Sequence, residues 1–236
     1  MEERGILTGI GVGPGDSELL TLKAIKAIRN SDVIMVPGED YRQSTAYKIA
    51  RGAVPELEKK MVVGVNMPMT KEREILDMSY RKAADLAEGW LLEGKNVGFL
   101  TLGDVTVYST YMYVHKLVGA DGFQTEIVNG IPSFCAAAAR MNMDLVERSE
   151  QLHIIPASYW IEDGLELPGT KVLMKAGSQI GNVKEILKKR NLDAVMIENC
   201  GMQDEKIYAS VDEIDENAGY FSLLIIKDQE TRDEQE

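Results

Sequence analysis

The stretch that decides the fold is GIGVGPGD, Gly9 to Asp16, which follows an apolar run and precedes the helix-forming sequence SELLTLKAIKAIRN. A glycine-rich turn between a strand and a helix lets backbone approach a ligand closely. The dinucleotide fingerprint G-x-G-x-x-G fails, since its third glycine falls on Pro14 or Asp16. A phosphate loop fails too, because no Gly-Lys-Ser/Thr follows. The sequence therefore predicts one of two structures. The loop either binds a ligand other than a pyrophosphate, or it is a simple turn in which Asp16 or Ser17 caps the helix.

The composition around this turn is that of a globular protein: 236 residues, 44% apolar and 27% charged. A formal charge of −12 argues against nucleic acid or an anionic membrane as partner, because both would be repelled. The acidic start MEERGILTGIGV does not resemble a secretion signal, and no segment approaches the roughly 18 apolar residues of a membrane span. We expect a soluble, cytoplasmic protein.

Two cysteines, Cys135 and Cys200, lack paired spacing and a nearby histidine, so neither a disulfide framework nor a zinc site is indicated. His115 is expected inside a helix and His153 at the start of a strand, and both are interpreted as structural. Because the motifs of a serine nucleophile elbow and of an H-E-x-x-H zinc helix are also missing, we expect no protein-bound metal.

Short apolar runs alternate with longer amphipathic stretches, which predicts an α/β protein. The turn cluster GADGFQ, 119–124, is the candidate boundary between domains at 1–120 and 125–236. The second part has fewer helices per strand, which favours a mixed sheet there and a mostly parallel one before it. Strands are predicted at 6–12, 32–37, 60–66, 96–103, 125–130, 151–157, 169–177, 194–201, 205–211 and 220–227, and helices at 17–30, 70–92, 106–119, 133–141 and 182–191.

Ligands of open α/β sheets bind beyond the carboxyl ends of strands, and nearly every predicted strand here ends in small or hydroxyl-bearing residues. Asp104, in LGDVTVYST, is suited to accept from a ribose hydroxyl, to face a positive charge, or only to cap the next helix. A site without metal, nucleophile or phosphate loop suits chemistry supplied by an activated cofactor that the protein only has to bind and orient. Methyl transfer from a sulfonium is one such reaction.

The order of these motifs resembles the tetrapyrrole (class III) methyltransferases, and within them the precorrin-2 or cobalt-precorrin-2 C20-methyltransferases of cobalamin biosynthesis. The stretches that carry the resemblance are GIGVGPGDSELLTLKAIKAI, LGDVTVYSTYMYV, VNGIPSFCAAAARM, KVLMKAG and VMIENCG. The family often has proline after the middle glycine-aspartate and before the hinge glycine, whereas Val105 and Asn129 stand there in this chain. Both residues keep a small or turn-compatible shape.

The resemblance implies two αβα domains with S-adenosylmethionine in the cleft between them, and a homodimer. GVGPGD would then form a wall of the cofactor and tetrapyrrole cleft, kept small so that a wide, flat substrate can enter. By analogy with the family motifs, the cofactor-binding residues would be Pro14, Gly103, Asp104, Val105, Val107, Pro132, Ser133, Met174, Asn199 and Cys200.

The implied reaction is attack of the macrocycle carbon C20 on the sulfonium methyl, with Tyr108 or Asp104 as candidates for a base. Cations must hold the substrate carboxylates, and Arg42, Lys48 and Arg51 are candidates because they follow a predicted strand end; the alternative is a solvated helix face. Other functions left open are methylation of another corrin carbon, of RNA or of protein, and a non-catalytic nucleotide-sensing domain.

Overall fold

The computed structural model describes residues 4–157 and 161–227. The chain divides into two compact units, Met1–Pro132 and Ser133–Glu236. Among the described residues, no helix has the length and apolar character needed to cross a membrane.

The N-terminal unit is built on a five-stranded sheet of order β3-β2-β4-β1-β5. Every neighbouring pair in it is parallel, which confirms the predicted parallel sheet. The strands are β1 (Ile6–Gly11), β2 (Val33–Pro37), β3 (Met61–Val65), β4 (Val97–Thr101) and β5 (Gln124–Val128), and the helices are α1 (Leu22–Asn30), α2 (Thr45–Ala53), α3 (Arg73–Leu92) and α4 (Tyr111–Ala120).

Helices cover both faces of this sheet. Ile10 and Ile34 point to the face on which α1 and α2 pack, and Leu7, Met35 and Phe99 point to the face on which α3 and α4 pack. Both faces are therefore buried, as a parallel sheet requires.

The carboxyl ends of β1 and β4 form a topological switch point. The two strands are neighbours, but β1 continues to β2 on one side, whereas β4 continues to β5 on the other. Ligands of open α/β sheets bind at such a point, where the connections diverge. The loops that leave it are the glycine-rich turn after β1 and the LGDVTVYST turn after β4.

The domain boundary differs from the one predicted. The strand expected to open the second domain is β5, and it pairs in parallel with β1. The turn cluster at 119–124 is the connection between α4 and β5, and the division between units lies after Pro132. Turn residues mark every change of element, so composition does not separate a turn inside a domain from one between domains.

The C-terminal unit holds a mixed sheet of order β6-β7-β10-β8-β9. Only β6 and β7 run parallel, and the other neighbours are antiparallel, which confirms the predicted mixed sheet. The strands are β6 (Leu152–Pro156), β7 (Thr170–Met174), β8 (Val195–Glu198), β9 (Lys206–Tyr208) and β10 (Ser222–Ile226), and the helices are α5 (Ser133–Arg140), α6 (Ile161–Leu165) and α7 (Ile180–Lys189).

Candidate functional site

Three glycine turns meet at the switch point of the N-terminal sheet. Gly13 and Gly103 form an isolated antiparallel bridge, in which each backbone N–H donates to the other's carbonyl, at 3.2 and 2.8 Å. A Cβ on Gly11 would lie 2.5 Å from the backbone nitrogen of Gly130 and 2.7 Å from the carbonyl oxygen of Gly103. The turns after β1, β4 and β5 therefore meet backbone to backbone at these glycines.

This packing changes the interpretation of the glycines in GIGVGPGD. A Cβ on Gly9 would lie 2.1 Å from the ring of Tyr111, which is fully buried. Gly9 and Gly11 are thus required by contacts inside the N-terminal unit, which the sequence did not predict. Pro14, the predicted cofactor neighbour, is buried beside the Gly13 bridge.

Asp104 ties two of these turns together. Its Oδ1 accepts from the backbone N–H of Thr106 at 2.8 Å and from the Thr106 hydroxyl. Its Oδ2 accepts from Asn129 Nδ2 at 3.1 Å and from the Gly130 N–H at 3.0 Å. The sequence did not predict Thr106, Asn129 and Gly130 as partners of Asp104, although an aspartate side chain commonly accepts from the backbone N–H two residues further on.

The electrostatics of Asp104 make it a poor proton acceptor. Burial acts to raise the pKa of its carboxyl, but the hydrogen bonds from Thr106, Asn129 and Gly130 outweigh burial and hold the pKa below its ordinary value. Since these bonds occupy both oxygens, Asp104 is a clamp between the turns after β4 and β5. The structure therefore argues against Asp104 as the base, and also against its alternative role as a helix cap, because α4 begins only at Tyr111.

The turn after Asp104 presents backbone and hydroxyls. Val105 is fully buried in the core beneath α3 and α4. Val107 is half-buried. Tyr108 is 43% exposed and lies in the left-handed region at φ 50°. Ser109 contacts Thr101, the last residue of β4, through their hydroxyl oxygens at 3.0 Å.

Among the described residues, three of the six non-glycine residues with left-handed backbone lie in loops that leave the carboxyl ends of strands. Tyr108, Lys175 and Asn199 follow the carboxyl ends of β4, β7 and β8, with φ of 50°, 58° and 54°. Asn142 and Asn191, by contrast, follow helices, where an αL asparagine is an ordinary cap. Strained residues held by their surroundings gather at functional sites, so these three mark candidate ligand-facing edges.

The C-terminal unit brings Met174, Asn199 and Cys200 to one edge of its sheet. Met174 ends β7, Glu198 ends β8, and both strands flank the start of β10. The N–H of Asn199 donates to the carbonyl of Phe221 at 3.0 Å, and its side chain donates to the carbonyl of Asp204 at 3.3 Å. Met174, Asn199 and Cys200 are half-buried. Pro132 and Ser133 lie at the junction of the units, where α5 begins.

The three predicted substrate cations have different surroundings. Arg42 is exposed and its guanidinium lies 4.7 Å from the ring centroid of Tyr41. Lys48 is exposed on α2 and reaches Gln43 at 3.5 Å. Arg51 pairs with Glu58 at 3.2 Å from the last turn of α2, away from the carboxyl end of the sheet. This position favours the alternative interpretation of Arg51, as part of a solvated helix face.

Both histidines hold hydrogen bonds that support the structural interpretation. His115 lies 3.1 Å from the Tyr111 hydroxyl and 3.3 Å from the Thr125 hydroxyl. Burial and then the neighbouring Lys116 lower the pKa of His115. His153 Nε2 lies 2.9 Å from the carbonyl oxygen of Pro168.

The charge of the switch-point loops restricts what can bind there. Residues 11–19 and 101–110 contain Asp16, Glu18 and Asp104, and neither stretch contains lysine or arginine. A phosphate would meet carboxylates without a compensating cation from these loops, whereas a neutral or cationic group would be favoured. This agrees with the failed phosphate-loop motifs.

Comparison with known proteins identifies the family. The model of the tetrapyrrole (corrin/porphyrin) methylases matches residues 7–215. A Methanocaldococcus jannaschii protein named "Probable cobalt-precorrin-2 C(20)-methyltransferase" is 36% identical over 223 residues, which cover 93% of this chain and 94% of the relative. The precorrin-2 C(20)-methyltransferase of a Sinorhizobium species is 30% identical over 236 residues, 94% of this chain and 95% of the relative.

A solved structure gives the same fold. The crystallised cobalt precorrin-4 methyltransferase aligns with a TM-score of 0.74 at 20% identity, and the alignment covers 94% of each chain. At this identity the likeness concerns the fold alone, and it agrees with the parallel and mixed sheets described above. The chain belongs to the tetrapyrrole (corrin/porphyrin) methylases.

Proposed function

We propose that the protein transfers a methyl group from S-adenosylmethionine to carbon C20 of precorrin-2 or cobalt-precorrin-2, in the biosynthesis of the corrin ring. The observation that carries this proposal is the match, along more than nine-tenths of both chains, to relatives named for that reaction. One relative is named for the cobalt-containing substrate and one for the metal-free substrate, so both substrates belong to the proposal.

The loops at the switch point and the strand ends of the C-terminal sheet suit this methyl donor. S-adenosylmethionine carries a sulfonium cation, and the switch-point loops offer three carboxylates and no basic side chain. The residues that would hold it are those at the strand ends: Pro14, Gly103, Val105 and Val107 in the N-terminal unit, Pro132 and Ser133 at the junction, and Met174, Asn199 and Cys200 in the C-terminal unit.

When bound, S-adenosylmethionine supplies the activated methyl group. A bond forms between C20 and the methyl carbon, the bond from that carbon to sulfur breaks, and C20 loses its proton. The protein contributes alignment, which can supply about 7–11 kcal/mol when the reacting atoms are held in line. Asp104 serves this alignment indirectly, because it fixes the turn after β4 against the turn after β5. Tyr108 stays the candidate base.

The substrate side of the proposal rests on Arg42 and Lys48. Both are exposed, and Arg42 follows the carboxyl end of β2. Substrate carboxylates need such cations, since the protein as a whole carries a charge of −12. We also propose that the protein works as a homodimer in the cytoplasm and has no nucleic-acid partner. These points rest on the family resemblance and on the acidic charge.

The test is anaerobic incubation of the purified protein with S-adenosylmethionine and either precorrin-2 or cobalt-precorrin-2, followed by mass spectrometry. We expect one of the two substrates to gain one methyl group, and isotopic labelling of the macrocycle would place it at C20. A reaction without the methyl donor is the control. If neither substrate gains a methyl group while S-adenosylhomocysteine still binds, the substrate assignment is wrong and a different methyl acceptor must be sought.

A further inference from the structure

The loop from β8 to β9, residues 199–205, is held in an unusual shape. Asn199 and Gly201 both have left-handed backbone, at φ 54° and 74°. The N–H of Met202 donates to the carbonyl of Asn199 at 2.9 Å, which closes a tight turn around Cys200. Left-handed backbone is uncommon for non-glycine residues, although asparagine adopts it more readily than most.

Glu205 is the side chain that holds this turn. Its Oε2 accepts from the N–H of Gly201 at 2.7 Å. Its Oε1 accepts from Nε of Arg140 at 2.7 Å. The carboxylate side chain is only 14% exposed, while Arg140 is 61% exposed. Since each oxygen already accepts a bond, Glu205 acts through the loop and is not positioned as a ligand contact.

The ionisation state of the Glu205 carboxyl agrees with this role. Burial acts to raise the pKa of the Glu205 carboxyl, but the hydrogen bonds from Gly201 and Arg140 outweigh burial and lower it. The carboxylate is therefore ionised at neutral pH, and its bonds are of the strong, charge-assisted kind. Arg140 is the last residue of α5, so the ion pair fastens the loop to that helix.

We propose that Glu205 is a positioning residue for the methyl donor: with Arg140 it keeps the Asn199–Cys200 backbone in the conformation that receives S-adenosylmethionine. This inference rests on the proposed function, which assigns the donor to this edge. A ligand that needs one loop conformation binds more weakly in proportion to the loss of that conformation. Releasing the turn should therefore weaken donor binding and leave the chemical step unchanged.

The experiment measures S-adenosylhomocysteine binding to the full chain by calorimetry, for the wild type and for Glu205→Ala, Glu205→Gln and Arg140→Met. We expect Kd to rise about tenfold for Glu205→Ala, since a charge-assisted hydrogen bond is lost. The amide oxygen of Glu205→Gln can still accept from Gly201, so this variant and Arg140→Met should weaken binding by only about threefold. Glu166→Gln breaks the pair with Arg190 elsewhere in the same unit, and it should bind like the wild type.

Steady-state kinetics distinguish a positioning role of Glu205 from a general loss of native structure. For Glu205→Ala, KM for S-adenosylmethionine should rise, while KM for the tetrapyrrole and kcat at saturating donor stay at wild-type values. If the alanine variant does not fold, the other two variants carry the test. Folded variants that bind within twofold of the wild type would overturn the inference and leave the proposed function intact. A wild type that does not bind the ligand at all would overturn both.

Discussion

At the scale of single residues, the glycines of the first turn allow close backbone contact between three turns. Gly11 lies against Gly103 and Gly130 with no room for a Cβ, and Gly13 takes a left-handed φ of 76° to reach Gly103. Since the neighbouring atoms are backbone, they cannot move aside as the end of a flexible side chain could. The contact among the three turns therefore depends on glycine at these positions.

Gly11→Ala should lower the free energy of unfolding by about 3 kcal/mol, because overpacking against backbone forces a shift of the chain. Urea unfolding followed by circular dichroism measures the change. Gly89→Ala is the matched control: Gly89 lies within α3 with nothing within 4 Å of an added Cβ, so the substitution should raise stability by about 0.5–1 kcal/mol. Equal effects at both positions would contradict the packing described here.

Asp104→Asn should destabilise the protein by about 2 kcal/mol at pH 7. An amide can accept with only one of its two heavy atoms, so it places its own N–H groups against at least one of the present donors. The pKa of Asp104 is lowered in the folded state. Its stabilisation is therefore complete above the pKa of an unfolded aspartate, about 3.9, and is lost as the pH falls through the lower folded value.

The stability gap between the wild type and Asp104→Asn should accordingly be widest at neutral pH and narrow below about pH 4. Urea unfolding at several pH values measures it. A gap that is unchanged at pH 3 would mean that the charge of Asp104 does not contribute to the clamp.

At the level of elements, the ten predicted strands all exist, since runs of apolar and β-branched residues are short, distinct signals. Helix starts were less predictable. The helix expected at 17–30 is a 3-10 turn, Ser17–Leu19, followed by α1, whose N-cap Thr21 accepts from Ala24 at 3.0 Å. The helix expected from 106 begins at Tyr111, because Asp104 holds the intervening turn.

For the candidate site, too, the sequence indicated which loops to consider but not the side-chain contacts within them. Strand ends rich in small residues pointed to the loops that meet at the switch point, because parallel strands end at one edge. The Asp104 clamp and the Glu205 contact depend on residues such as Gly130 and Arg140, which lie 26 and 65 positions away along the chain. Periodicity and local motifs carry no information on such pairs.

Helices α3 and α4 are joined by one arginine. The guanidinium of Arg81 contacts Asp85 and Glu88 on α3 and Asp121 directly after α4, each at 2.6 Å. A planar guanidinium with five donors can reach three carboxylates at once, whereas an ammonium cannot do so in this geometry.

Arg81→Lys should therefore lower stability by about 1 kcal/mol, a modest value because the side chain is 36% exposed. The loss should shrink in high salt, which screens the ion pairs. Arg73→Lys is the control, since Arg73 is 93% exposed and 4.0 Å from Asp77. Thermal unfolding in low and high salt compares the two variants, and an identical Tm for both at low salt would count against the network.

For the molecule as a whole, the charge of −12 predicts opposite salt effects on the two substrates. The polycarboxylate tetrapyrrole is repelled at long range and the sulfonium donor is attracted, and salt screens both interactions. Between about 20 mM and about 200 mM salt, kcat/KM should rise for the tetrapyrrole and fall for S-adenosylmethionine. Initial-rate kinetics at several salt concentrations tests this, and changes of the same sign for both would show that net charge does not govern encounter.

The bridge between Gly13 and Gly103 has a consequence for the order in which the chain matures on the ribosome. Its two halves, and the Gly130 backbone that packs beside them, come from widely separated parts of the N-terminal unit. During vectorial synthesis the first turn emerges long before its partners, so it has nothing to pair with until β4 and β5 have also left the exit tunnel. The contact among the three turns is therefore completed late in translation, and a nascent chain truncated before Gly130 would lack it.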